Sequence, residues 1–230
     1  MLKEVKARRR KLQSWTWLGL PLVVAGGWFY PPLGFLLFGC MAGAAGIALR
    51  RGRAWCDWMC PRGSFYDLFF SKISPKKKIP PLLRTKAFRI LMLAMIFIVL
   101  GGQLYFAWGD ANRMGLAMVR VLTVTTALGI VLALAYHPRT WCHICPMGTL
   151  GNWLAKGKEP LVIGGQCTAC KACSRACPMQ LNPAEFRPEG VMGDNDCIKC
   201  ATCVAACPQK ALRFGNAAGD TGVEEKKSVA

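Results

Sequence analysis

Two cysteine runs near the C-terminus are the strongest constraint on how this 230-residue chain can fold. "CTACKACSRACP" begins at residue 167 and "CIKCATCVAACP" begins at residue 197, and both follow the pattern C-x2-C-x2-C-x3-C-P. Three cysteines on one tight loop can cap three irons of a cubane, so the fourth ligand must come from elsewhere. The spacing therefore predicts two [4Fe–4S] clusters. Zinc held by four thiolates is the alternative, but zinc favours two separate C-x-x-C pairs.

In such a pair of runs, the fourth cysteine of each run ligates the other cluster. The predicted ligands of the first cluster are Cys167, Cys170, Cys173 and Cys207. Those of the second cluster are Cys197, Cys200, Cys203 and Cys177. This segment resembles the bacterial two-cluster ferredoxins. The resemblance implies a C-terminal α+β domain that transfers electrons.

Four apolar stretches place the rest of the chain in the membrane class, in agreement with its 53% hydrophobic residues. They cover residues 15–30, 34–49, 90–108 and 114–136. The first two are shorter than the roughly 20 residues that cross a bilayer, and a re-entrant hairpin is the alternative for them. We predict an α-helical membrane protein with four transmembrane helices arranged as two pseudo-repeated hairpins.

The distribution of positive charge predicts the orientation of these spans. Six Lys or Arg lie in residues 1–11 and eleven lie in residues 50–89, whereas the other two connections contain only Arg113. By the positive-inside rule, both termini and the ferredoxin domain of this multi-pass protein are cytoplasmic. The membrane that we expect is the bacterial inner membrane. A net charge of +18 is then explained by topology, and no nucleic-acid partner is expected. A cleaved signal peptide and a twin-arginine export signal are the alternatives for the N-terminus.

Each predicted hairpin is followed by a short motif that carries two cysteines. "RAWCDWMCPRG" covers residues 53–63 and "RTWCHICPMG" covers residues 139–148, which indicates an internal duplication. A pseudo-twofold arrangement would bring the four thiols together as a third metal centre, either a cluster or a single ion, at the membrane surface. A redox-active thiol pair and a purely structural role are the alternatives. The four thiols belong to Cys56, Cys60, Cys142 and Cys145.

Nearly the whole chain resembles the NapH-type membrane ferredoxins, which are related to the electron-transfer parts of NosR and CcoG. The motif "CDWMCP" keeps the C-x3-C-P spacing of that family, whereas "CHICP" is one residue shorter. The resemblance implies a subunit that transfers electrons between the quinone pool and a redox partner or a larger membrane oxidoreductase complex. It does not imply a stand-alone enzyme. The rival hypothesis is a CcoG-like factor that binds or reduces copper during maturation of a respiratory complex.

Polar residues near the outer ends of the last two spans suggest a quinone site that includes Arg120, Tyr105 and Asp110. For Arg120, snorkelling to the lipid headgroups is the favoured alternative. Of the two histidines, His143 is expected to be hydrated at the membrane interface. We divide the chain into a basic N-terminus (1–14), a first hairpin with its motif (15–62), a basic loop with an interfacial helix (63–89), a second hairpin with its motif (90–148), a linker (149–164), the ferredoxin domain (165–214) and a disordered tail (215–230).

Overall fold

The computed structural model describes residues 1–215 and is mostly helical. All but the first residue of the predicted disordered tail lie outside the described residues. The α-helices of the described chain are α1 Leu2–Thr16, α2 Gly19–Phe29, α3 Leu36–Arg51, α4 Trp55–Trp58, α5 Pro61–Phe65, α6 Lys86–Phe106, α7 Ala111–Ala135, α8 Thr140–Ile144, α9 Pro146–Leu154, α10 Ala172–Ala176 and α11 Thr202–Ala206. The strands are β1 Leu161–Ile163 and β2 Leu212–Phe214. Short 3₁₀ segments cover Pro31–Phe35, Gly52–Ala54, Pro81–Arg84 and Pro183–Phe186, and a π-helical turn covers Tyr66–Phe70.

Three helical segments of the described chain are long and apolar enough to cross a bilayer. They are Pro31–Phe70, which contains α3, and the helices α6 and α7. These segments cover the second predicted stretch and all but the last one or two residues of the third and fourth. Large apolar side chains on them face outward, and Ile98 on α6 is 73% exposed in the isolated chain. Such a surface is suited to lipid rather than to water.

The first predicted span, residues 15–30, is not one of these segments. The chain divides it between α1, which ends at Thr16, and α2, which has only 11 residues. Pro21 lies in the first turn of α2, where its missing N–H leaves no helical hydrogen bond unmade, so a new helix begins just before it. At 1.5 Å per residue α2 rises about 16 Å, about half of the hydrocarbon core. Four full-length helices are therefore not confirmed.

Glycines allow α7 to contact the turn between α2 and α3 at backbone distance. A Cβ placed on Gly115 would lie 2.2 Å from the carbonyl oxygen of Pro31, and one on Gly34 would lie 2.3 Å from that of Gly115. One turn further along α7, a Cβ on Gly27 would lie 2.4 Å from Val119. Close approach of this kind stabilises helix pairs in lipid through packing. The start of α7 therefore lies at the same end of the bundle as Pro31.

The opposite end of the bundle holds both cysteine motifs. We call residues 52–70 and 139–154 the motif layer. The end of α1 is joined to this layer, because the Thr16 hydroxyl donates a hydrogen bond to the Trp58 carbonyl at 2.7 Å. Gly19, at the start of α2, faces Pro61 of the same layer. Residues 16–31 therefore connect the motif layer with the far end of α7.

The C-terminal region packs against the motif layer. Strands β1 and β2, at the beginning and the end of this region, form an antiparallel pair. Leu161 lies opposite Phe214, and Ile163 lies opposite Leu212. The basic loop between the motif layer and α6 also contacts it. Arg84 Nη2 donates hydrogen bonds to the carbonyl oxygens of Met179 at 2.7 Å and Gln180 at 3.1 Å. The basic loop and the cysteine runs thus lie at one end of the bundle.

The contact between Gly115 and Pro31 predicts the effect of a single methyl group. We expect Gly115→Ala to lower the free energy of unfolding by about 1–3 kcal/mol, because the new methyl group meets a backbone oxygen that cannot move aside. Gly39→Ala, on α3, is the matched control, since a Cβ there meets nothing within 4 Å. Thermal unfolding of the detergent-purified protein would measure both variants. Equal stability of the two would contradict this packing.

Candidate metal centres

The eight cysteines of the C-terminal runs line two small cavities. One cavity is bounded by Cys167, Cys170, Cys173 and Cys207. The other is bounded by Cys177, Cys197, Cys200 and Cys203. Each cavity therefore takes three thiols from one run and the fourth from the other, which is the grouping that the spacing predicts. The assignment of the individual ligands stays a prediction that this grouping supports.

The backbone conformation explains how the short loop around the second cysteine of each run can line a cavity. The residues on either side of the second cysteine in each run adopt left-handed conformations, with φ between 53° and 58° for Ala169, Lys171, Lys199 and Ala201. Left-handed residues next to right-handed ones turn successive backbone N–H groups toward a common point, an arrangement found at anion and iron–sulfur sites. None of these four residues is a glycine, so the sequence alone gives no signal of the conformation.

The thiols themselves accept hydrogen bonds. The Ala211 backbone N–H donates to Cys207 Sγ at 3.4 Å, and the Thr202 hydroxyl donates to Cys200 Sγ at 3.3 Å. Burial raises the pKa of the Cys177 thiol to about 11. Binding of a metal cluster would displace the thiol protons. Four thiols and several N–H donors around each cavity fit a [4Fe–4S] cluster.

The cysteines of the two motifs also come together. Cys56, Cys60, Cys142 and Cys145 all line a third cavity, together with Cys40 of α3. Among the described residues, no three His, Cys, Asp or Glu side chains are placed to hold a single metal ion. The four thiols therefore surround a space instead of converging on one point. Burial raises the pKa of the Cys142 thiol to about 11.

Two buried arginines join the motifs to each other in a reciprocal way. Arg53 of the first motif donates from Nη2 to the carbonyl oxygen of Cys142 at 2.6 Å. Arg139 of the second motif donates from Nη1 to the carbonyl oxygen of Cys56 at 2.5 Å. Both side chains are fully buried. The equivalent contacts agree with an internal duplication.

The glycines of the two motifs make room for these arginines. A Cβ on Gly148 would lie 2.7 Å from Arg53 Nη2, and a Cβ on Gly63 would lie 3.0 Å from Arg139 Nη1. Any larger side chain at either position would displace a guanidinium group from its carbonyl partner. The arginine and the glycine that the motifs share are therefore two parts of one contact.

The guanidinium of Arg139 is neutralised by Asp67, which follows the first motif. Arg139 donates to both carboxylate oxygens of Asp67, at 2.8 Å from Nε and 2.5 Å from Nη2. Arg9 and Gln13 of α1 donate to the same carboxylate at 2.7 Å and 2.8 Å. The basic helix α1 is thus held against the motif layer by a buried carboxylate.

The guanidinium of Arg53 is neutralised by Asp196, the residue before Cys197. Arg53 Nη1 donates to Asp196 at 2.5 Å and Asn152 Nδ2 donates at 2.7 Å. Arg89 at the start of α6 makes two further bonds to this carboxylate. Burial opposes ionisation of Asp196, but Arg53 and the hydrogen bonds of His143 and Arg89 outweigh burial and hold the pKa well below its usual range. Asp196 therefore stays ionised and joins the cysteine runs to the motif layer.

His143 is part of this network and is not hydrated, so the sequence-based expectation for it is wrong. Its side chain is fully buried, and Nδ1 lies 3.3 Å from Asp196. Burial lowers its pKa, so the ring is neutral at pH 7. No local pattern in the sequence indicates this burial, because the partner of His143 lies 53 residues away.

The residues suggested for a quinone site occupy separate positions at the other end of the bundle. Tyr105 is 77% exposed on α6, and Arg120 is exposed on α7. Asp110 caps α7 by accepting hydrogen bonds from the backbone N–H groups of Asn112 and Arg113. Asp110 thus has a structural role, and the quinone role of the three residues stays a prediction.

Comparisons with known proteins support the iron–sulfur interpretation. A "4Fe-4S binding domain" family matches residues 33–80 and 119–162, so that each match contains one motif, and a "4Fe-4S dicluster domain" family matches residues 166–212. Two uncharacterized proteins of Methanocaldococcus jannaschii are similar. MJ0750 is 27% identical over 74% of this chain and 75% of its own length, and MJ0749 is 27% identical over 73% and 66%. No solved structure matches.

A third similar protein has a descriptive name, and its similarity covers a shorter part of the chain. The methylamine utilization ferredoxin-type protein MauN of Methylobacillus flagellatus is 29% identical over 55% of this chain, which spans about half of MauN. The chain thus carries 4Fe–4S domains of the ferredoxin type and three helices able to span a membrane.

The network around Asp196 predicts a large effect of one charge. We expect Asp196→Asn to cost about 3–5 kcal/mol of stability, because it leaves the Arg53 and Arg89 guanidinium groups buried without a counter-charge. Asp194→Asn is the matched control. Asp194 accepts a hydrogen bond from the Asp196 N–H through Oδ1, and asparagine retains that acceptor. Chemical denaturation in detergent would compare the two, and equal stability would refute the structural role of Asp196.

Proposed function

We propose that this protein is a NapH-type membrane subunit that carries electrons between the quinone pool and a redox partner through [4Fe–4S] clusters. That it is an iron–sulfur electron-transfer protein of the ferredoxin type follows from the matching domains. The finer assignment rests on one observation, namely that the four motif thiols line one cavity beside the ferredoxin core. A [4Fe–4S] cluster, when bound, supplies reversible one-electron transfer.

The position of the motif thiols supports a continuous route. Cys142 and Cys203 belong to the same apolar core, and Cys56, Cys177 and Cys197 pack against it. Asp196, next to Cys197, is bonded to Arg53, which is bonded in turn to the carbonyl of Cys142. The second ferredoxin cavity is thereby linked to the motif cavity. At the first cavity, by contrast, Cys170 is exposed and accessible to a partner.

We infer that the motif cavity holds a third cluster. Four soft thiolate ligands suit iron–sulfur clusters, copper(I) and zinc. Their placement around a space favours a cluster over a single ion. Arg53 and Arg139 would offset the negative charge of the thiolates and orient the backbone of both motifs.

We also infer four membrane crossings with both termini in the cytoplasm. Residues 16–31, which include the short helix α2, connect the motif layer with the end of α7 that holds Gly115. The chain therefore runs from one end of the bundle to the other over these residues. The basic helix α1 and the basic loop both contact the end of the bundle that carries the cysteines. The positive-inside rule assigns that end to the cytoplasm.

Quinol as the membrane substrate matches this arrangement chemically. The interconversion of quinol and quinone moves two electrons and two protons, and clusters exchange electrons one at a time. Several one-electron centres in sequence are therefore suited to exchange electrons with a two-electron carrier.

The test is quinol-dependent bleaching of the cluster absorbance in anaerobically purified protein reconstituted in nanodiscs. We expect decylubiquinol or a short-chain menaquinol to bleach the wild type. A variant with serine at positions 56, 60, 142 and 145 should lose this response. Dithionite is the internal control, because it should still reduce the C-terminal clusters of the variant.

Two results would contradict the proposal. Bleaching of the serine variant at the wild-type rate would remove the motif thiols from the route. No bleaching of either protein, together with tight copper(I) binding that only the wild type shows, would favour the copper maturation hypothesis instead.

A further inference from the structure

The motif cavity is much larger than its four thiols require. It measures about 300 Å³, whereas the two cavities lined by the C-terminal cysteines measure about 20 Å³ and 10 Å³. Each of the smaller cavities has the thiols for one cubane. The lining of the motif cavity continues from the thiols along α2, α3, α6 and α7, so a third cubane held by the thiols would occupy only one end of it.

The remaining space is apolar and opens toward lipid. Its walls come from α2, α3, α6 and α7. Leu22, Leu36 and Phe97 line the cavity and are each at least half exposed on the outer surface of the bundle. A molecule dissolved in the bilayer can thus enter between these helices without crossing water.

Two polar groups in the wall lack strong partners. Arg62 donates to the Thr125 hydroxyl at 3.0 Å and lies 5.4 Å from the centre of the Trp141 ring, but no carboxylate among the described residues pairs with it. Trp141 is 1% exposed, and its indole Nε1 has no hydrogen-bond partner within residues 1–215. A buried N–H donor without an acceptor is unfavourable, so a ligand oxygen would satisfy it.

The internal duplication shows that Arg62 is not needed to build the motif. Arg62 lies between Pro61 and Gly63, and the second motif has Met147 at the equivalent position between Pro146 and Gly148. Both motifs fold into the same contacts with their arginines, with either residue present. Arg62 and Met147 both line the cavity, so only one of the two equivalent positions in its wall carries a positive charge.

We propose that this cavity binds a quinone-type carrier, with a ring carbonyl facing Arg62 and Trp141 and the tail leaving between α2, α3 and α6. A carbonyl oxygen accepts hydrogen bonds from both donors, and a flat ring with an apolar tail suits the other walls. The inference rests on the proposed quinone-linked function and places the quinone beside the motif thiols, away from Arg120, Tyr105 and Asp110.

The test measures binding of 2-heptyl-4-hydroxyquinoline N-oxide, a fluorescent quinol analogue, to the full chain in nanodiscs. Ala44→Phe fills the cavity from α3, where Ala44 is buried in the wall. Ala42→Phe is its control, because Ala42 is exposed on the same helix. Arg62→Met copies the second motif and removes only the charged donor. Iron content is measured for every variant.

We expect saturable quenching of the probe by the wild type and by Ala42→Phe. Ala44→Phe should abolish it, and Arg62→Met should weaken it roughly tenfold, the usual effect of one charged hydrogen bond, with unchanged iron content. Wild-type affinity in Arg62→Met and Ala44→Phe would overturn the proposal, as would the absence of saturable binding to the wild type. If Ala44→Phe does not fold, Arg62→Met decides the question.

The outcomes separate this site from the proposed function. Saturable binding that Arg62→Met weakens, without quinol-dependent bleaching of the clusters, would support the site and refute electron transfer from quinol. Bleaching of the wild type with binding that none of the variants alters would support the function and place the quinone elsewhere.

Discussion

The reciprocal contact of two buried arginines is the interaction on which the rest of the structure depends. Arg53 and Arg139 each donate to the carbonyl of the first cysteine in the opposite motif. A buried guanidinium is unfavourable without a counter-charge, so each also requires a carboxylate. Asp67 and Asp196 supply those charges. Asp67 also holds α1, and Asp196 also belongs to the cysteine runs, so the two arginines connect the N-terminus, both motifs and the C-terminal region.

This connection places four candidate sites in a fixed order. The first ferredoxin cavity reaches the surface at Cys170, and the second cavity is joined through Asp196 and Arg53 to the motif thiols. The apolar part of the motif cavity continues from those thiols to the lipid-facing helices. The buried charges of Arg53, Arg139, Asp67 and Asp196 hold these sites at fixed separations, which electron transfer requires.

Cysteine spacing and the internal duplication predicted which thiols line the same cavity. The exchange of the fourth cysteine between runs follows from spacing alone, and the grouping of Cys56 and Cys142 follows from the duplication. Long-range pairs were not predictable. Asp196 and Arg53 are 143 residues apart, and the burial of His143 depends on that pair. The left-handed conformations of Ala169 and Lys199 were also not predictable, because neither residue is a glycine. The cavity beside Arg62 depends on tertiary packing, which periodicity does not report.

Iron and acid-labile sulfide per chain show whether the two cysteine motifs together form one cluster site. The wild type and a variant with serine in place of the four motif cysteines would be purified anaerobically and analysed together with EPR of the reduced state. We expect about twelve irons in the wild type and about eight in the variant, at four per cubane. About eight irons in both proteins would contradict this expectation, because the motif cavity would then hold no cluster.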